Sequence, residues 1–210
     1  DVTSDADARK FLEDYTFPSM TQTDPDTLSS LGTKRVDFLK NYLNERVTGG
    51  ARNKMIDFSI QKLQANSTDS SLHPSARVNA IVLLSQLTDR PLTRDQAPIA
   101  SAKAFRALLE IYSGQDPKKN PDYVKVAALS GIKNQLELNS KSGQAVDAAA
   151  KTQLVDSAVA LMTAPAERDK DAAAYWSKRQ AVQLSAVLKD AKTLPALLAI
   201  LNDEASSHDL

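Results

Sequence analysis

The chain has 210 residues, 26 Lys+Arg against 26 Asp+Glu, two His and no Cys. Without Cys there is no disulfide framework, no thiolate nucleophile and no Cys-based zinc site. Zero net charge argues against holding a polyanion by bulk charge, and with 13 basic and 13 acidic residues in 1–105, and the same again in 106–210, neither end is a charged tail.

The polar start Asp1-Val2-Thr3-Ser4-Asp5 lacks Met. It reads as the end left by a removed leader, pointing to an exported bacterial protein, or as a cut from a longer chain. No stretch approaches the roughly 18–20 apolar residues that span a bilayer. Turn-forming clusters then punctuate the chain regularly, and Ala, Leu, Lys, Gln and Asp dominate between them. These are helix compositions, and the spacing predicts helices over 5–15, 27–47, 51–66, 74–88, 98–113, 121–138, 146–163, 170–190 and 194–206.

In the first linker, Asp24-Pro25-Asp26 reads as a turn with an N-cap, having too few oxygens for a calcium loop. The most basic stretch, Thr33 to Ile56, sets Lys34, Arg35, Lys40, Arg46, Arg52 and Lys54 against Asp37 and Glu45. It reads as a solvated helix face. Thr48-Gly49-Gly50-Ala51-Arg52 reads as a C-cap running into the next helix, with an anion site using Arg52 and Lys54 as the alternative. Asn66-Ser67-Thr68, an N-x-[ST] site, falls in an expected loop. Pro74, Pro98, Pro121 and Pro195 are placed for first helical turns. Thr193 is a candidate N-cap, and Gly49, Gly114 and Gly143 sit where a left-handed C′ residue is wanted.

Apolar residues recur at helical spacing. Met55, Ile56, Phe58, Ser59 and Leu63 form one stripe, flanked by Ile60. Ile99, Ala102, Phe105, Leu109 and Tyr112 form another, widened by Leu108. Leu154, Val155, Ala158, Leu161 and Met162 form a third. Stripes this wide must be buried against neighbouring helices.

Three helices share a motif. Arg77-Val78-Asn79-Ala80-Ile81, Lys125-Val126-Ala127-Ala128-Leu129 and Lys178-Arg179-Gln180-Ala181-Val182 each set a small residue three after a basic one, then a branched apolar one. The Ala positions 80, 128 and 181 lie about 50 apart. This pattern resembles the second helix of HEAT and armadillo-type repeats. Asp122-Tyr123-Val124-Lys125-Val126-Ala127-Ala128 is the closest match, Pro74 to Ala80 the next, and Asp171 to Ala181 the weakest. The resemblance spans roughly residues 50–190. It implies an all-α superhelix, right-handed, of three to four stacked antiparallel helix pairs with capping helices at 27–47 and 194–206. Residues 1–33 would be an N-terminal extension and 34–210 the repeat domain.

Few constellations carry chemistry. His73 and His208 lack a second ligand at metal spacing. Glu13-Asp14, Asp169 with Asp171, and Asp203-Glu204 read as helix-end carboxylates. There is no Gly-x-Ser-x-Gly elbow, and no cofactor is expected. The resemblance places second helices on a concave face. Arg77, Lys125 and Lys178, with Arg179 adjacent, would then form a basic ladder in the groove or pair with acids such as Asp122 to fix stacking. Tyr175-Trp176 is the one conspicuous aromatic pair, suited to a contact surface or to the core. The expected function is a non-catalytic protein- or peptide-binding module or scaffold, possessing no membrane span and an unlikely nucleic-acid binder. The alternative is a HEAT-like DNA glycosylase using Asp171, Tyr175 and Trp176. A spacer domain of a larger protein is a third reading.

Overall fold

The computed structural model describes residues 5–43, 49–166 and 170–203. Glu45, Arg46, Thr48, Asp169, Glu204 and His208 lie outside the described residues. Helices run α1 Asp5–Phe11, a π-helical turn Leu12–Thr16, α2 Phe17–Ser19, α3 Pro25–Tyr42, α4 Gly49–Thr68, α5 Pro74–Ser85, α6 Ala102–Ser113, α7 Asp122–Ser142, α8 Ala148–Thr163, α9 Ala172–Leu188 and α10 Leu194–Asn202. One antiparallel ribbon, β1 Thr88–Arg90 with β2 Ile99–Ala100, joins α5 to α6.

The fold is all-α, and its order follows from which apolar faces meet. Helices α4 and α5, α6 and α7, and α8 and α9 pack as hairpins. The second helices of these pairs adjoin, so α5, α7 and α9 form one layer, with α3 flanking α5. Helices α4 and α6 form the layer behind, and α1 packs on α4. Helix α10 packs on α8. Ala80, Ala128 and Ala181 are all buried, which lets neighbouring helices approach closely. Gly131 shows how tight this is. A Cβ there would lie 3.1 Å from Ser85 Cβ on α5 and 3.0 Å from Leu108 on α6. Leu84, Leu87, Leu108, Ile111, Leu129 and Ile132 fill the space between the pairs and are fully buried. Each contributes about 1.5–3 kcal/mol relative to exposure.

The helix starts follow ordinary capping chemistry. Asp24, Ser101, Asp147 and Asp171 accept from the backbone N–H three residues on, at the starts of α3, α6, α8 and α9. His73 caps α5 by accepting from Ser75 N–H through Nδ1 at 3.2 Å, a structural use of the imidazole. At the other end Gly143 takes the left-handed conformation, φ +69°, after α7.

Several sequence expectations are corrected. Pro98 precedes a strand, not a helix; Leu87 O accepts from Ser101 N–H and the ribbon holds this segment off α6 until Ala102. The buried face of α6 centres on Ala104, Phe105, Leu108 and Ile111, leaving Ala102 exposed. Gly49 and Gly50 open α4 instead of closing α3. Gly114 ends α6 at φ −59°, outside the left-handed region. Thr193 makes no side-chain cap to α10, because its hydroxyl donates to Asp190 O at 2.7 Å. Asn66-Ser67-Thr68 is the last turn of α4, with Ser67 buried. Residue 33, the expected start of the repeat domain, lies within helix α3. The basic stretch is not one solvated face. Lys34 Nζ donates to Ser19 O at 2.7 Å, Arg35 donates to Asn79 Oδ1, and buried Arg52 donates to Leu43 O and Thr88 O. Burial pulls Arg52 below the ordinary arginine range, with Asp89 opposing. With its guanidinium committed inward, Arg52 is no anion site.

Candidate binding groove

The layer of second helices turns one face away from α4 and α6, and that face is grooved. Val78 and Val82 of α5, Val126 and Ala127 of α7, and Ala172 and Ala173 of α9 line a hollow of about 560 Å³. Tyr123 and Trp176 stand at its edges, and Ser85, Ser130, Asn134 and Gln180 supply its polar groups. The Gln180 Oε1 is shielded from solvent and accepts no hydrogen bond among the described residues. A hollow that is mostly apolar with a few placed polar groups is the usual build of a binding surface.

The predicted site residues divide sharply. Trp176 is 45% exposed while its neighbour Tyr175 is 6% exposed, because one residue along a helix turns about 100°. The two rings meet edge to face with centroids 5.9 Å apart, so the buried ring props the exposed one. Arg179 lies over the indole with its Cζ 5.1 Å from the ring centroid. This cation–π contact holds Trp176 against the rim.

The basic residues form no exposed ladder. Arg77 is only 3% exposed. Its Nε donates to Ser67 O at 3.0 Å, Nη1 to the Tyr123 hydroxyl at 2.8 Å and Nη2 to Lys118 O and Lys119 O. It therefore ties the end of α4 and the α6–α7 loop to α5. Lys178 is also buried, and its Nζ reaches Ala164 O, just after α8, at 3.4 Å. Both side chains serve backbone carbonyls at the ends of their hairpins instead of carboxylates such as Asp122. Lys125 differs. It is half-buried on the opposite side of α7, lining a polar hollow of about 540 Å³ with Tyr112, Asp122, Ser157 and Asp171. Burial raises the Tyr112 hydroxyl above its ordinary value, a Ser157 hydrogen bond opposing.

Among the described residues, the acid and the phenol nearest Trp176 in sequence are committed elsewhere. Asp171 Oδ1 accepts from Ala174 N–H at 2.9 Å as the cap of α9, and Tyr175 points into the core. Glu13 pairs with Lys62 at 2.5 Å, which holds its carboxyl below the ordinary range. Among the described residues no cluster of three His, Cys, Asp or Glu side chains could hold a metal, and no helix is long and apolar enough to cross a membrane.

Sequence reasoning missed Tyr123, Val126, Asn134 and Gln180 as groove residues. A signal was present: α5 and α7 carry apolar residues on a second face. Val78 and Val82 are out of phase with buried Ala80 and Leu84, as Val126 is with buried Ala128. Compared with family models, curated proteins and solved structures, the chain matches none.

Proposed function

We propose that this chain is a non-catalytic protein- or peptide-binding module working through the α5–α7–α9 groove. The observation that carries the reading is Trp176, half exposed yet fixed between Tyr175 and Arg179 at the rim of an apolar hollow. A rigid aromatic beside a pocket is the commonest kind of binding hot spot. Stacked helix pairs support the likeness to HEAT and armadillo-type repeats, folds that present extended surfaces.

The test is a display selection for peptides that bind the full chain. Trp176→Ala and Val126→Glu should each weaken selected binders by about 30-fold, the size of a hot-spot loss of ~2 kcal/mol. Lys103→Glu, on the opposite layer, should leave binding unchanged. Equal binding by all three variants would remove the groove from the function.

A further inference from the structure

We propose that the segment this groove takes is acidic: an extended apolar stretch flanked by Asp or Glu. The inference rests on the groove reading above and adds the partner's chemistry. The first hollow runs on into a second of about 760 Å³, since Ser85 and Asn134 line both. Leu39 and Leu43 of α3, Pro91 and Leu92 of the ribbon loop and Leu138 of α7 make the second hollow apolar too. Together they form one trough from Trp176 to Leu92, suited to an extended chain rather than a compact ligand.

Basic residues outnumber acidic ones along this trough, where Glu137 in the lining and Asp89 beside lining Thr88 are the acids. Lys40 and Lys141 line it, against Glu137 as the one acid among the lining residues. Arg35 stands one turn before Leu39 on α3, Lys133 reaches from α7 to Gln183 Oε1 on α9 at 2.8 Å, and Arg179 covers Trp176. Arg35, Lys133 and Arg179 are each held by a neutral group. Neither they nor Lys141 makes an ion pair among the described residues. Since the whole chain is neutral, this excess is a local field and not a general basicity. Basic side chains beside low-dielectric walls focus that field on the trough. An acidic segment gains from it, whereas a basic one is repelled. A polyphosphate backbone would meet the cations but leave the apolar floor unfilled, so a peptide is the better match.

A random dodecapeptide library displayed on phage and selected on the full chain, with Trp176→Ala as the subtracting bait, reads both claims. Peptides that need Trp176 should carry an apolar core with Asp and Glu outnumbering Lys and Arg. A synthetic copy should shift the emission of Trp176, the chain's one tryptophan. Its affinity should fall several-fold from 50 to 500 mM salt, and by tenfold or more in the Lys133→Glu, Lys141→Glu, Arg179→Glu triple variant. Thermal melting checks that this variant folds, and Lys141→Glu alone, on the exposed last turn of α7, replaces it if it does not. Trp176-dependent peptides that are neutral or basic would overturn the acidic assignment and leave the groove standing. Peptides with no dependence on Trp176 would overturn both. Saturable binding of a 20-nucleotide single-stranded DNA at 150 mM salt, competing with the selected peptide, would overturn the choice of a peptide partner.

Discussion

Arg77 of α5 donates a 2.8 Å hydrogen bond to the hydroxyl of Tyr123 on α7, and its Cζ lies 5.4 Å from the centroid of the same ring. The contact joins a buried structural cation to a residue on the groove rim. Removing Arg77 strips donors from Ser67 O, Lys118 O and Lys119 O as well. Arg77→Leu is expected to cost about 3 kcal/mol, the scale of losing charged donors to buried carbonyls. Arg77→Lys keeps the charge but not the fork and should cost about 2 kcal/mol. Urea unfolding monitored by circular dichroism measures both. A cost within 0.5 kcal/mol of zero for Leu, the ordinary surface range, would show that the guanidinium is not a staple.

Gln135 is completely buried on α7, and its Nε2 donates to Ser85 O at 2.8 Å and Leu87 O at 3.0 Å. It supplies donors to carbonyls at and beyond the end of α5, where the helix ladder runs out. Gln135→Leu should cost about 2 kcal/mol, because Ser85 O loses its side-chain donor and Leu87 O keeps only Ser101 N–H. Gln135→Glu should cost more at neutral pH, because a carboxylate meets the same two acceptors. If the two variants unfold alike at pH 7, donation to α5 is not what the amide contributes.

Two backbone positions should respond in opposite directions. At Gly131 a methyl group would press on Ser85 and Leu108, so Gly131→Ala should destabilise by about 1–3 kcal/mol through overpacking. Lys189 closes α9 in the left-handed region, φ 48°. That conformation costs an L-residue about 1–2 kcal/mol, against about 0.5–1 kcal/mol of added entropy loss for glycine. Lys189→Gly should therefore raise the melting temperature modestly. A fall would mean that the Lys189 side chain supplies more than its backbone strain removes.

Acid should loosen the molecule in stages. Asp24 is held below its ordinary 3.8 by the hydroxyl and N–H of Thr27, and Asp69 by those of Ser71. Glu13 is held below 4.5 chiefly by Lys62. A depressed folded-state pKa means that the unfolded chain binds protons first. The stabilisation is whole above the ordinary values and is lost as pH falls through the depressed ones. Asp24→Asn keeps a capping oxygen but cannot titrate, so its melting temperature should fall less steeply than the parent's as pH drops below 3.8. Melting curves between neutral and strongly acidic pH read this directly, and parallel acid limbs for the two proteins would assign the loss elsewhere.

The helices and most of their buried faces were legible because they depend on local spacing. Ile56, Leu63, Leu154, Val155 and Ala158 are buried as their periodicity requires. The opposite fates of Tyr175 and Trp176 were legible in principle as well. Tyr175 stands three residues before buried Lys178, on the same side of α9, whereas Trp176, two residues before it, is turned to the other side. The burial of Arg77 was not readable. Its carbonyl partners at Lys118 and Lys119 lie 41 and 42 residues away, and sequence spacing reports side-chain faces, not the reach of a guanidinium into a distant loop. The ribbon was missed for a similar reason, since strands of three and two residues show no periodicity and depend on pairing.

Within the layer α3–α5–α7–α9 the close packing is between adjacent helices, and α5, α7 and α9 are backed by α4, α6 and α8. Its softest motion is therefore a change of angle between adjacent helices, like slats on a flexible backing, and the trough is the gap that such motion opens and closes. A segment lying from Trp176 to Leu92 would bridge α9 and α3, which do not pack closely on each other. Occupancy would act as a splint. It would slow amide hydrogen exchange across all four helices at once, at positions the ligand never contacts.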